Sequence, residues 1–447
     1  MLKKGKMLIK EGEKDIKEIY KRFWKRDFSG NTGQAIKNGT YNFSTTIVQK
    51  IGAIFFTIII ARLLMPELFG LYSLALATIG IFAVISDLGI SSTLIRFLSK
   101  ELVKNKPNPK GYYNYLLKIK FLLILFASLT LILSAYWVSN IYYDKPLFYA
   151  LLAGGLYIFI TGFLGFFESI YQSFNNFKKS LIKESIYQAL RLVFIPLIII
   201  FSLKFSNEIL LLNILLGLSF CYLIALIFLF FKKPILLGKE LNKKQKGQVN
   251  RFILPLTATA LAGVFFANID KIMLGHFVSA EFIGYYTVAF SLIVAVMGFL
   301  SFSGALFPIF SRLGGKELER GLRKSIKIVL PASFIIILIT LIFSPLIIKI
   351  IYGAQYSLSI NILRLFLPLI ISEPIAAIYT NYYVSKGKTK LIAKLLISTA
   401  LLNIILNYIL IIALLPRGNL AAVFGAVIAT VISRYVFLLG LIIFKRK

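Results

Sequence analysis

The sequence predicts an all-α polytopic membrane protein, with about twelve transmembrane helices in two parallel six-helix halves around a central cavity. Three observations predict it. The 447 residues are 58% hydrophobic yet carry a formal net charge of +33, a pairing that one water-soluble core does not accommodate. Oily runs recur from end to end, each near the roughly 20 residues needed to cross about 30 Å of hydrocarbon. A short motif at the end of the first run also returns in the second half of the chain. Runs such as FFTIII (Phe55–Ile60) and FIIILITLIF (Phe334–Phe343) lack the polar–apolar alternation of a β-barrel strand, so helices must satisfy the backbone internally.

The chain opens on a polar segment, 1–37, too polar for a signal peptide. Its Ile16, Ile19, Tyr20, Phe23, Trp24 and Phe28 fall at helical spacing opposite charged residues, which predicts an amphipathic helix on the cytoplasmic lipid surface. The spans follow at 41–64, 69–97, 116–139, 147–172, 183–203, 208–231, 252–276, 282–310, 326–351, 360–384, 390–415 and 419–444. Connections alternate in character. KELVKNKPNPKGYYNYLLKIK, NNFKKSLIK, SRLGGKELERGLRKSIK and SKGKTK are rich in Lys and Arg, whereas YYDKP, LKFSNE, HFVSAE, YGAQYS and PRGN hold at most one or two basic residues. The positive-inside rule then places both termini and every basic connection in the cytoplasm, which makes topology, not nucleic acid, the reason for the basicity. A basic linker, 232–251, separates an N-terminal bundle (38–231) from a C-terminal one (252–447).

The repeated motif supports that division. Aligning ARLLMPELFGLYSLA, from Ala61, with GHFVSAEFIGYYTVA, from Gly275, matches Glu67 to Glu281, Gly70 to Gly284, Tyr72 to Tyr286 and Ala75 to Ala289. Both copies fall at the first outer turn of a six-span block, and six crossings return the chain to its starting side, so the halves share one orientation. Within the turn Pro66 interrupts the helical ladder, Glu67 accepts from the free amides of the next helix, and Gly70 admits a close backbone neighbour. Arg62 can snorkel to the interface.

RLLMPELFGLY, with the SDLGISSTLIRF of Ser86 to Phe97, resembles the opening of the polysaccharide and O-antigen flippases, a family within the multidrug and oligosaccharidyl-lipid exporter superfamily. The resemblance implies export by alternating access, in which an undecaprenyl- or dolichyl-linked oligosaccharide is turned from the inner to the outer leaflet for cell-surface glycan assembly. It implies as partners a polyprenyl-(pyro)phosphate-linked oligosaccharide, membrane lipid, a coupling proton or sodium ion, and polysaccharide-assembly enzymes. Two other readings compete: a multidrug exporter of the same superfamily, and a membrane-embedded glycan polymerase or transferase. An excess of intramembrane cations weighs against the first, and short outer loops with few carboxylates weigh against the second.

Ionisable groups at mid-span cost about 2.5–3.5 kcal/mol to insert, so each calls for a cavity or a partner. Lys50, Arg191, Lys271, Arg364 and Arg434 are the cationic candidates for gripping a phosphate, with Asn42, Gln49 and Asn268 as candidate sugar contacts. Lys50 and Lys271 lie on the first helix of each half and would line opposite walls of a central cleft. Asp87, Asp270 and Glu373 are candidates for ion coupling. Structural roles are open for several of them: Arg364 is close enough to a span end to snorkel, Arg191 is on one helix face with Glu184, and asparagines often join helices. Cys221 and His276 each stand alone, so neither a disulfide nor a His/Cys metal site is expected, and no cofactor is implied.

Overall fold

In a computed structural model the described residues are 30–104, 107–231, 234, 237–300, 310 and 315–446. The amphipathic segment expected around Ile16–Phe28 lies outside them. The elements are α1 (Gly30–Ile85), α2 (Ile90–Leu102), α3 (Pro109–Tyr136), α4 (Phe148–Ser173), α5 (Phe177–Ser202), α6 (Asn207–Phe231), α7 (Lys243–Phe277), α8 (Ala280–Leu300), α9 (Gly315–Ile351), α10 (Ser359–Phe366), α11 (Leu369–Ser385), α12 (Thr389–Leu414) and α13 (Asn419–Arg446). A π-helical turn, Trp137–Tyr143, ends α3. Among the described residues there is no strand.

Among the described residues, eleven helical stretches are long and apolar enough to cross a membrane. The first of them holds two crossings, because Met65 leaves helical geometry at φ 60° and Pro66 follows, removing an amide from the ladder. The chain turns back there, as the neighbours on each side show. Lys50 and Pro66 approach Gly298 and Gly284 of α8, while Leu74 and Gly89 approach Gly275 and Leu256 of α7. α7 and α8 form a hairpin, so the two arms of α1 form one as well, and the two hairpins clasp each other. Twelve crossings in two halves result, as the sequence predicts.

Two spans differ from expectation. The second, expected as one run over 69–97, breaks between Ile85 and Ile90, where Leu88 and Gly89 take positive φ angles of 40° and 84°. The tenth is split at Leu367–Pro368 into α10 and α11, since Pro368 has no amide to continue a helix and instead starts the next one.

The repeated corners meet face to face. A Cβ on Gly70 would collide with the Ala280 carbonyl oxygen, and one on Gly284 with the Pro66 carbonyl oxygen. Because Pro66 aligns with Ala280 and Gly70 with Gly284, the contact is reciprocal, as about a pseudo-twofold axis. The surrounding hydrogen bonds obey the same relation. Tyr356 Oη donates to the Ala61 carbonyl at 2.8 Å, and Lys145 Nζ donates to the carbonyl of its counterpart Gly275 at 2.6 Å. Arg62, at the end of the first span, donates through Nε to Ile351 O at 2.8 Å and through Nη2 to Ile350 O, capping the C-terminus of α9. His276, its counterpart, places Nδ1 2.5 Å from Tyr142 O at the end of the third span.

The hydrophobic core follows this geometry. One buried cluster runs through both halves at the corner end, joining Leu64, Phe69 and Leu74 to Ile283, Tyr286, Tyr356 and Phe366. A second, around Leu318, Leu322, Tyr382, Tyr383 and Leu441, lies wholly in the C-terminal half. At the opposite, basic end the halves touch through α7: Thr257 Oγ1 donates to Leu88 O at 3.1 Å, Arg96 stacks on Phe252 at 4.2 Å, and Tyr115 Oη donates to Asn250 at 2.9 Å. Asn242 and Gln245 form a capping box that starts α7 before its membrane run.

Candidate functional site

α1 presents two uncovered faces on its basic-end arm. Asn42, Thr46 and Gln49 recur at helical spacing as an exposed polar stripe, and Phe43, Ile47, Ile51 and Phe55 recur as an exposed apolar one. Lys50 sits at the edge of the polar stripe. Its Nζ lies 3.5 Å from where a Cβ on Gly298 of α8 would stand, so it faces the other half. Across the gap on α7, Asn268 lies 3.5 Å from a Cβ position on Gly80 and donates to Val264 O at 3.1 Å. Lys271, one turn further on, is half-buried. Among the described residues neither Lys50 nor Lys271 has an acid within ion-pair distance. Asn42, Gln49 and Lys50 therefore lie on the first span of one half, with Lys50 beside α8, and Asn268 and Lys271 lie on the first span of the other, with Asn268 beside the second arm of α1.

The remaining candidates lie elsewhere. Arg191, 9% exposed, stacks on Phe56 at 4.4 Å and Tyr187 at 5.0 Å, and its Nη1 donates to Tyr187 Oη at 3.3 Å. Its Nε and Nη2 are buried without a partner. Glu184 does not reach it, being engaged by Lys183 at 3.0 Å and Gln188 at 2.7 Å. Arg434 pairs with Glu373 at 3.2 Å and lies 3.7 Å over the Phe266 ring, so this cation and this acid are joined to each other, both partly exposed. Arg364 is exposed on α10 and donates to Ser344 of α9 at 3.0 Å. Asp87 is paired with Lys120 at 2.6 Å.

Asp270 is the most enclosed of the three coupling candidates. Tyr286 Oη and Thr430 Oγ1 each donate to its Oδ2 at 2.5 Å, and Asn407 Nδ2 donates to Oδ1 at 2.8 Å. Asn403 Nδ2 reaches Thr430 Oγ1 at 3.2 Å. The Oδ1 atoms of Asn403 and Asn407 are buried and unpartnered. Carboxylate, amide and hydroxyl oxygens from α7, α12 and α13 thus converge on one buried place, a donor set suited to a small hard cation or a proton.

Sequence reasoning missed Lys120, Lys183 and Lys145, and the clasping role of Arg62. Lys120 and Lys183 fall near span ends by position, where snorkelling hid their inward direction. Tyr286 carried a usable signal, since it repeats Tyr72 in the aligned motif.

Comparison with known proteins agrees with this architecture. The family described as polysaccharide biosynthesis protein matches residues 35–314. The chain belongs to the polysaccharide biosynthesis protein family. The MatE family also matches, over residues 255–409. A Shigella flexneri protein assigned as an O-antigen transporter is 26% identical over 376 residues, covering 80% of this chain and 86% of that one. Among solved structures, this polysaccharide biosynthesis protein is similar to the lipid II flippase MurJ in an inward closed conformation, with a TM-score of 0.73 at 17% identity over 91% of this chain and 87% of that one. It is also similar to an inward-facing multidrug resistance MATE transporter of the MOP superfamily, with a TM-score of 0.67 at 15% identity over 89% and 96% of the two chains. These structural likenesses establish the twelve-helix, two-lobe fold.

Proposed function

We propose that the protein is a flippase that carries an anionic lipid-linked oligosaccharide from the cytoplasmic to the outer leaflet by alternating access. The observation that carries this reading is the pair of lysines, Lys50 and Lys271, on the first helices of the two halves with no acid in ion-pair distance among the described residues, in a molecule closed at its corner end. A phosphate or pyrophosphate entering between the halves would meet two ammonium groups that no protein acid already neutralises. The basic connections assign the basic end, with both chain termini, to the cytoplasm. The closed corner then faces outward, and the similarity is higher to an inward-facing MATE transporter (TM-score 0.67) than to an outward-facing one (0.56). Family membership and the O-antigen transporter assigned in Shigella flexneri support a glycan cargo.

The Asp270 cluster is the place for a coupling proton or sodium ion. Its binding there would change the charge shared by α7, α8, α12 and α13, and so bias the C-terminal half between two packings. No bond is made or broken in the cargo, so no catalytic residue is required.

Flipping of a fluorescent polyprenyl-pyrophosphate oligosaccharide in sealed vesicles tests the reading. Lys50→Gln and Lys271→Gln should each slow the rate by roughly tenfold, the loss of about one charge-assisted contact, with unchanged thermal unfolding. Wild-type rates in both variants would overturn it.

A further inference from the structure

The Asp87-Leu88-Gly89 break in the second span builds a cavity that the central cleft does not use. It measures about 450 Å³ and lies inside the N-terminal half, between the end of α1, α2, α3 and α4. Its wall mixes hydroxyl, carboxyl, ammonium and apolar groups, and Gly165 leaves open the space that a side chain would otherwise fill. The two acids are held in a particular way. Asp87 Oδ1 receives Lys120 Nζ at 2.6 Å, the Ser91 hydroxyl at 2.5 Å and the Ser91 amide at 3.3 Å, so among the described residues no bond falls on Oδ2. Glu168 Oε2 pairs with Lys183 at 2.9 Å, which leaves Oε1 free. Ser86, only 4% exposed, lines the cavity with a hydroxyl that has no partner among the described residues and lies 3.3 Å from a Cβ position on Gly162.

We infer that this cavity is a saccharide subsite, which takes a neutral sugar unit of the lipid-linked cargo through hydroxyl and amide N–H donors. The inference rests on the flippase reading for the source of the sugar. The space is far too large for a bare ion, and its mixed polar and apolar lining suits the two kinds of face that a sugar ring presents. Lysine-anchored carboxylates offer fixed acceptors, which suit sugar hydroxyls and repel a sugar carboxylate. α7 packs on the same break through Thr257 and Leu88, so occupation of the cavity is felt at the contact between the halves.

Saturation-transfer NMR on the full chain in lipid nanodiscs tests this, with methyl glucoside, methyl N-acetylglucosaminide and methyl glucuronide as probes. The two neutral glycosides should bind, and the glucuronide should bind roughly tenfold more weakly, because its carboxylate meets the carboxylates of Asp87 and Glu168. Gly165→Leu should abolish binding by filling the cavity, since a Cβ there meets only Ser91 Oγ at 4.0 Å and the fold should tolerate it. Ser86→Ala is the smaller change and should weaken binding while the unfolding temperature is preserved. Added polyprenyl-linked oligosaccharide should displace the glycosides. Equal affinity for the glucuronide, unchanged binding in Gly165→Leu, or failure of the lipid-linked compound to compete would each overturn the assignment. Binding requires no translocation, so this outcome is separable from the Lys50 and Lys271 measurement.

Discussion

Arg191 and Asp270 stand beside the paired tyrosines of the two repeats, Tyr72 near the arginine and Tyr286 against the aspartate, yet their surroundings differ in kind. Asp270 is hydrogen-bonded on both oxygens, whereas Arg191 is packed among rings with two nitrogens unpaired. A buried cation with no acid beside it is held at a cost that its aromatic contacts offset only in part. Arg191→Met should therefore unfold at the same temperature as the wild type or a few degrees higher, and a fall of more than about 5 °C would show that the cage needs the charge. At the corner, Lys145 is the group whose protonation is tied to closure. Burial lowers its pKa, and Asp144 beside it restores part of that. The closed form then binds fewer protons than an open form with a solvated Lys145, so raising the pH toward the ordinary lysine value near 10.4 should favour closure. Distances between spin labels on the two corners should shorten over that range in the wild type and show no such trend in Lys145→Met.

The reciprocal glycine contact belongs to the scale of elements, because each glycine meets a backbone carbonyl and neither hairpin can yield a side chain to make room. Gly70→Ala or Gly284→Ala should prise the corners apart and shift labelled molecules toward longer corner distances, with the double variant shifted furthest. Short distances retained in all three would mean that the clasp is held elsewhere. How much of this was legible depended on the signal each element leaves. Hydrophobic length fixed the number of crossings, and the Glu67/Glu281 and Gly70/Gly284 matches located the corners. The break after Ile85 was harder to see: Ser86, Asp87, Ser91 and Ser92 lower the hydropathy there, but polar residues within a span equally mark a cavity or a partner. The direction of a charged side chain around its helix was harder still. Lys50 and Arg434 occupy similar depths in their spans, but only the three-dimensional packing shows that one has an acid at 3.2 Å and the other has none among the described residues.

On the flippase reading, the inside-negative potential would give the whole molecule a direction. Each net negative charge carried outward gains about 2.3 kcal/mol per 100 mV, reduced by any protein cation that moves with it. Flipping in vesicles should accelerate when a potassium diffusion potential makes the cytoplasmic side negative, and Asp270→Asn should abolish any further dependence on a sodium or proton gradient while leaving the voltage response in place. A voltage-independent rate would mean that the translocated complex is neutral. The mutual burial of Gly70 and Gly284 bears on descent as well. A surface that fits its own copy through the same residues is what an isologous association of two identical six-span chains produces. Such a homodimer would already have possessed the outer closure, and an even number of crossings let gene fusion join the copies without inverting either. Fusion of that kind would release each copy from serving both roles, so that one lobe could enclose a guanidinium and the other a carboxylate.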